Sequence, residues 1–132
     1  MNAHTVENYD TFPQGFNGSD FLLDPFTYQY LNPTFQRNRD PPTNHKGEYS
    51  TDLITQKALG FLNEAAQEDR PFFLGIAPIA PHANVERGNF SEPIPAERHA
   101  HLFKDIRVPR TESFNPDEVG SFHNRPVGMH LS

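Results

Sequence analysis

At 132 residues, with 13 prolines and 35% hydrophobic residues, the chain has room for one domain but little apolar material to close a core; its 12 phenylalanines argue against a disordered polymer. The formal charge of -6 comes without a basic stripe, which excludes nucleic acid as the main partner, because phosphates demand clustered Lys and Arg. The absence of cysteine excludes disulfides, thiolate metal sites and cysteine nucleophiles.

In chain order, residues 1–19 read as loop, with turn chemistry at Phe12-Pro13-Gln14-Gly15 and Asn17-Gly18. Asp20-Phe21-Leu22-Leu23 and Thr27-Tyr28-Gln29-Tyr30-Leu31 are short, aromatic and β-prone, and are expected to pair as a hairpin across Asp24-Pro25. Residues 37–47 read as a polar loop around Pro41-Pro42. From about 51 to 67, Leu53, Ile54, Ala58, Phe61, Leu62 and Ala65 recur at helical spacing and predict an amphipathic helix. Ser50 or Thr51 would cap it, Asp52 would meet the positive end of its dipole, and Pro71 would stop it. Phe72-Phe73-Leu74-Gly75-Ile76-Ala77 follows without a polar interruption, which predicts a strand covered on both faces, as in a parallel sheet. Helix followed directly by buried strand is half of an α/β unit. Beyond Pro78 the chain reads as loop, with a helical turn around 96–103.

No apolar run approaches the roughly 20 residues that span a bilayer. The opening Met1-Asn2-Ala3-His4-Thr5-Val6-Glu7-Asn8 lacks the basic and apolar regions of a signal peptide. Two glycosylation triplets occur, Asn17-Gly18-Ser19 and Asn89-Phe90-Ser91, whereas the proline of Asn32-Pro33-Thr34 blocks a third.

His82 is the best single candidate for a site. It sits just past the end of the predicted strand, on a segment stiffened by Pro78 and Pro81. Ligands of open α/β sheets bind outside the carboxyl ends of strands. A histidine held there can donate hydrogen bonds to an anion or protonate a leaving group. From position alone, an ordinary loop histidine is the plainer reading. His99-Ala100-His101 invites a metal reading, but the two rings would point apart on a helix and no third ligand has matching spacing, so a solvated charged turn is preferred. Asp20, Asp24, Asp40 and Asp52 read as turn and cap residues. Arg37, Arg39 and Lys46 read as a solvated basic loop.

Arg70-Pro71-Phe72-Phe73-Leu74 followed by Ala80-Pro81-His82 resembles the strand-and-histidine segment of formylglycine-dependent sulfatases, in the alkaline phosphatase superfamily. Gly47-Glu48-Tyr49-Ser50-Thr51-Asp52 is similar to the start of the helix before that strand. Asp20-Phe21-Leu22-Leu23-Asp24-Pro25, Phe35-Gln36-Arg37-Asn38-Arg39-Asp40-Pro41-Pro42 and Pro95-Ala96-Glu97-Arg98-His99 resemble fungal arylsulfatases in particular. The resemblance implies an α/β fold that is an incomplete piece of an alkaline-phosphatase-like domain, with one amphipathic helix, a few strands and long proline-rich loops. Residues 1–118 would form a partial catalytic domain. Residues 119–132, after Phe114-Asn115-Pro116-Asp117, match nothing expected there and would form a divergent tail.

The family's activity is hydrolysis of sulfate esters, small-molecule or glycan, with calcium and formylglycine as cofactors of the full-length enzyme. In that family the histidine of this segment contacts the substrate sulfate, so the resemblance gives His82 a substrate-binding role. The nucleophile arises from Cys or Ser in a C/S-x-P-x-R motif. Ser91-Glu92-Pro93-Ile94-Pro95 begins correctly but has proline where arginine is required, and is rejected. The aspartates and Asp-Asn that hold the metal find no counterpart. The expectation is therefore a chain with no catalytic residue or metal ligand of its own and no sulfatase turnover. Its alternatives are a non-catalytic anion-binding piece and a structural fragment. Edges of the strand at 72–77 would be exposed, so the isolated chain is expected to self-associate or stay partly unfolded. Full-length relatives leave secretion open.

Overall fold

A computed structural model describes residues 5–9, 13–111 and 114. Two compact units divide the chain, residues 1–100 and 101–132. Among the described residues the first holds one helix and two small antiparallel sheets, which makes it a mixed α/β piece.

Strands β1 (Asp20–Leu22), β2 (Thr34–Arg37) and β3 (Thr43–Asn44) form a sheet with β2 in the centre. Asp20 pairs with Arg37 and Leu22 with Phe35, while Phe35 also pairs with Thr43. Side chains alternate across a strand, so Phe35 and Arg37 share one face and Thr34 and Gln36 the other. Helix α1 (Ser50–Ala65) covers the first face. The Lys57 ammonium lies 4.6 Å from the Phe35 ring centre and donates to Asp20 Oδ2 at 2.8 Å. Arg37 stands 4.5 Å over the Phe61 ring and pairs with Glu64. On the opposite face Gln36 Nε2 donates to the Tyr9 carbonyl at 2.7 Å, and Asn44 Nδ2 donates to Thr34 Oγ1 at 2.8 Å. A chain poor in aliphatic residues thus covers its central strand with long polar side chains, whose stems pack while their heads find partners. Leu23, Tyr30, Phe35 and Leu53 make up much of the buried apolar core.

Two tight points fix this packing. Asn38 adopts a left-handed φ of 52°, which Asn tolerates better than most residues. Its N–H donates to Ser19 O at 2.8 Å and its Oδ1 accepts from Ser19 N–H at 2.9 Å, closing the end of the β1–β2 pair. A Cβ on Gly18 would stand 2.7 Å from Cε1 of Phe61, so glycine is what lets that ring lie against the chain.

Several sequence expectations are corrected. β1 pairs with β2, not with residues 27–31. Successive turns from Leu23 O to Phe26 N–H (2.9 Å) and Phe26 O to Gln29 N–H (3.1 Å) fold the connection up, and Leu23 N–H goes to Thr34 O instead. The loop at 37–47 contains β3. Neither Ser50 nor Thr51 caps α1: the N-cap is Tyr49, without a side-chain cap bond, and the buried Ser50 donates its N–H to Tyr30 O at 2.8 Å. The helix ends at Ala65, well before Pro71, because Gln67 and Glu68 bond three residues back, to Glu64 O and Ala65 O, so that the last turn tightens to the 3₁₀ kind and the α-helical ladder stops. Its apolar face is half covered, with Leu53 buried and Leu62 exposed.

The largest correction concerns residues 72–77, which form no strand and lie mostly exposed. A strand apolar on both sides is stable only between neighbouring strands and two covering layers, and no strand among the described residues pairs with it. The stretch beyond Pro78, read as loop, instead holds a hairpin of β4 (Asn84–Glu86) and β5 (Asn89–Ser91), with Val85 opposite Phe90. Arg87 and Gly88 form its two-residue turn with φ of 50° and 81°, the left-handed pair that matches the twist of flanking strands. The turn expected around 96–103 is present as a 3₁₀ turn at Glu97–His99.

In the second unit, residues 101–111 and 114 are exposed turns and extended chain. Phe103 has φ of 62° and accepts from Ile106 N–H at 3.2 Å, and the Arg110 guanidinium sits 5.3 Å from the Phe114 ring centre. The boundary at 118 and the tail 119–132 lie outside the described residues.

Candidate functional site around His82

Tyr28-Gln29-Tyr30, expected to pair with β1, is bound instead to the β4–β5 hairpin. Val85 N–H donates to Tyr28 O at 2.9 Å, and Tyr30 N–H donates to Asn84 Oδ1 at 3.2 Å. Asn84 is buried and its Nδ2 donates to Ser91 Oγ at 3.2 Å. The buried Tyr30 then reaches the candidate directly: its hydroxyl donates to the backbone carbonyl of His82 at 2.7 Å.

His82 follows a cis Ala80–Pro81 bond, and its N–H closes a turn onto Ile79 O at 2.8 Å. Its ring stacks on Tyr28, with centroids 4.2 Å apart and planes 24° apart. Nδ1 lies 2.8 Å from the carbonyl of Ala83. A carbonyl only accepts, so Nδ1 carries the hydrogen in this contact. The tautomer leaves Nε2 for a ligand, as a lone pair when the ring is neutral and as an N–H donor when it is imidazolium.

The Tyr30 phenol behind it is set to stay neutral. Burial pushes the Tyr30 phenol above its ordinary pKa, and the neighbouring Tyr49, whose ring centre is 6.0 Å away, pushes in the same direction. Tyr30 therefore keeps its proton and remains a donor to the His82 carbonyl. Tyr49 in turn donates to Ile94 O at 2.8 Å, tying the chain after the hairpin to the helix start. Arg98 grips Asp52 with two bonds of 2.6 and 2.7 Å. Its hydrogen bond is the main reason the Asp52 carboxyl sits below the usual range, ahead of the opposing effect of desolvation and the added attraction of Arg98 and His99.

The structure therefore brings His82 together with Tyr28, Tyr30 and Asn84, none of which the sequence singles out. Their sequence signal is the aromatic pair two residues apart, a period-2 pattern that by itself predicts a strand. Arg37 is corrected from a solvated loop cation to a β2 residue paired with Glu64. Asp20 is corrected from a turn residue to a β1 residue paired with Lys57, whereas Asp52 lies in the first turn of α1 as expected and is in addition paired with Arg98. His99 is exposed on its 3₁₀ turn, and His101 belongs to the other unit. Ser91 lies on β5, its hydroxyl bonded to Asn84. Among the described residues no group of three His, Cys, Asp or Glu is placed to hold a metal ion. The described residues therefore do not fit the calcium implied by the resemblance, and the sequence holds no C/S-x-P-x-R motif to yield the formylglycine.

The sulfatase family model matches residues 1–104, which include the whole of this cluster. The chain belongs to the sulfatase family. It is 43% identical over 112 residues to Sulfatase ppz1 of Metarhizium majus, covering 83% of this chain and 26% of that protein. An arylsulfatase of Volvox carteri is 39% identical over 120 residues, covering 83% of this chain and 18% of its own length. An arylsulfatase of Chlamydomonas reinhardtii is 36% identical over 116 residues, again with 18% of its length covered. No solved structure matches. This sulfatase chain thus spans about a quarter of the first relative and less than a fifth of the other two. Among its described residues no helix is long and apolar enough to cross a membrane.

Proposed function

We propose that this chain contributes a sulfate contact, His82, to an arylsulfatase-type enzyme whose complete form hydrolyses sulfate esters of small molecules or glycans. The observation that carries the reading is the fixing of His82 on three sides, by Tyr28 against the ring, Ala83 O at Nδ1 and the Tyr30 hydroxyl at the carbonyl. A ring so held presents Nε2 in one direction without losing rotamer freedom on binding, which is the economy that preorganised sites exploit. The partial sulfatase domain in this reading is residues 1–118, with 119–132 as a separate tail.

The chain alone is proposed to bind without turnover. Sulfate ester hydrolysis needs a nucleophile and neutralisation of the sulfate oxygens, whereas one positioned donor supplies about 3 kcal/mol. Calcium and formylglycine, which the sulfatase family generally uses, would act in the full-length enzyme.

The test is titration of the isotope-labelled chain with 4-nitrophenyl sulfate, read at the imidazole nitrogens. A saturable shift at His82 Nε2 that is lost in His82→Gln is the expected result. No shift at saturating ester would overturn the sulfate contact and leave a purely structural piece. In parallel, hydrolysis with added calcium should not exceed that in buffer; release of nitrophenol above that level would overturn the proposed inactivity.

A further inference from the structure

Asn17-Gly18 is the one place in the sequence where glycine follows asparagine. An asparagine side chain can react with the next main-chain amide, whose nitrogen adds to the side-chain carbonyl carbon and closes a five-membered imide. Glycine in the second position favours the step, because no Cβ crowds the attacking nitrogen. A fold permits it only where the two groups can reach one another. Here nothing holds them apart. Asn17 lies exposed in a bend. Neither its side chain nor any backbone N–H or C=O of Asn17 and Gly18 bonds to a described residue. The first fixed point is Ser19, whose N–H and C=O are both taken by Asn38. The 17–18 peptide can therefore turn while the residue after it stays in place. Other asparagines are held. Asn8, Asn32, Asn38, Asn44 and Asn84 commit their side chains to hydrogen bonds. Asn63 is fixed within α1 and Asn89 within the β4–β5 ladder.

We propose that Asn17 is a site of spontaneous deamidation in the folded protein, with water as the only co-reactant. The Gly18 nitrogen gives its proton to solvent and bonds to Cγ of Asn17, while the Cγ–Nδ2 bond breaks and ammonia leaves. Water then opens the imide. Opening at Cγ leaves ordinary aspartate. Opening at the main-chain carbonyl leaves isoaspartate, with the chain running through Cγ and one methylene longer. Either product adds a negative charge to a chain already at -6. The extra methylene falls just before a tight contact. A Cβ on Gly18 would stand 2.7 Å from Cε1 of Phe61, so Gly18 cannot shift towards that ring without displacing it. Isoaspartate therefore loosens the Ser19–Asn38 closure of the β1–β2 pair, and aspartate leaves it intact. This inference rests on the geometry of the loop and not on the role of His82.

The full chain is incubated in warm, mildly alkaline buffer with and without urea, and the peptide bearing residue 17 is followed by mass spectrometry. Fragmentation separates aspartate from isoaspartate. Deamidation at Asn17 in buffer is expected within about 10-fold of its rate in urea, since a loop free of hydrogen bonds opens at little cost. It should also outrun every other described asparagine. Hydrogen exchange at the Asn38 amide reports whether the closure at Ser19 is intact in the same sample. Molecules carrying isoaspartate should lose that protection, whereas Asn17→Asp should keep it. Asn17→Gln should stay unmodified and hold its urea midpoint through the incubation. Folding that slows the reaction more than about 100-fold would overturn the inference, as would an equal rate at Asn84. An Asn38 amide that exchanges freely from the start would overturn it too, because the fixed point after Gly18 would be missing. Isoaspartate that leaves the Asn38 amide protected would overturn the proposed loosening of the sheet.

Discussion

Phe35 and Phe73 are the same residue type in the same compact unit, and they are treated in opposite ways. Phe35 is 2% exposed on the central strand, with the His45 ring nearly perpendicular to it at 5.9 Å and Lys57 over its face. Phe73 is 81% exposed in an extended run with no sheet around it. The sheet region closes because turns bring three strands and a helix into one local neighbourhood, where even charged side chains cover apolar surface. The run after Arg70 carries a denser apolar pattern and closes nothing. Apolar content alone does not bury a residue; neighbours on each edge and face do.

The sharpest way to break this comparison is to truncate both rings. Phe35→Ala is expected to cost about 3–5 kcal/mol, the range for a large buried aromatic, and to abolish amide protection across β1 and β2 in hydrogen exchange. Phe73→Ala should fall within about 0.5 kcal/mol, as surface changes do. Equal effects from the two would mean that the run is packed in solution. Gly18→Ala comes next. Its Cβ would meet the Phe61 ring at 2.7 Å, so overpacking of about 1–3 kcal/mol is expected, seen as a lower urea midpoint. Gly15→Ala, at a left-handed φ of 85° but with open space around it, supplies the contrast between backbone strain and side-chain clash.

Tyr30→Phe is expected to be milder. It removes the hydroxyl that donates to His82 O while keeping the ring in place, so the loss should be about 0.5–1.5 kcal/mol in stability. Its more informative readout is the site: the His82 imidazole signals should broaden as the loop gains freedom. Unchanged His82 signals would show that Tyr28 stacking and the Ala83 contact suffice to hold the ring.

The same contrast explains what could be read from the sequence. Helix α1 was legible within a few residues at each end, because an amphipathic period is a local property. Its cap and stop were not, since Tyr49 and the 3₁₀ tightening at Gln67 depend on where Tyr30 and the following chain lie. The apolar pattern of 72–77 was legible, but its pairing was not, because a buried strand is a statement about neighbours that the pattern does not contain. The β4–β5 hairpin escaped because Asn84-Val85-Glu86 and Asn89-Phe90-Ser91 carry one apolar residue each. The sole local cue was Gly88 after Arg87. His82 was found from its place after the run and from the resemblance. Its supports were missed because the Tyr30 bond spans 52 positions of chain.

The smallest effect belongs to the ion pair that straps the 3₁₀ turn to the start of α1. Arg98 holds both oxygens of Asp52 in a fork, the geometry that suits guanidinium and carboxylate. Both side chains are partly exposed, so solvent screens the pair and its contribution is modest. Its sign is nevertheless fixed. The folded chain holds the Asp52 carboxyl below its ordinary value, mainly through the Arg98 hydrogen bond. The stabilisation is therefore fully present above the unfolded carboxylate value and is lost as the pH falls through the lowered one. Arg98→Met removes the partner, so wild type should exceed the variant in stability near neutral pH, and the gap should narrow in acid. Added salt should narrow it at neutral pH too, whereas the Phe35→Ala deficit should survive both treatments, since burial of a ring carries no charge to titrate or screen. A gap between wild type and Arg98→Met that ignores both pH and salt would mean that Arg98 acts through packing of its stem, and the strap would then belong with the apolar contacts of the sheet region.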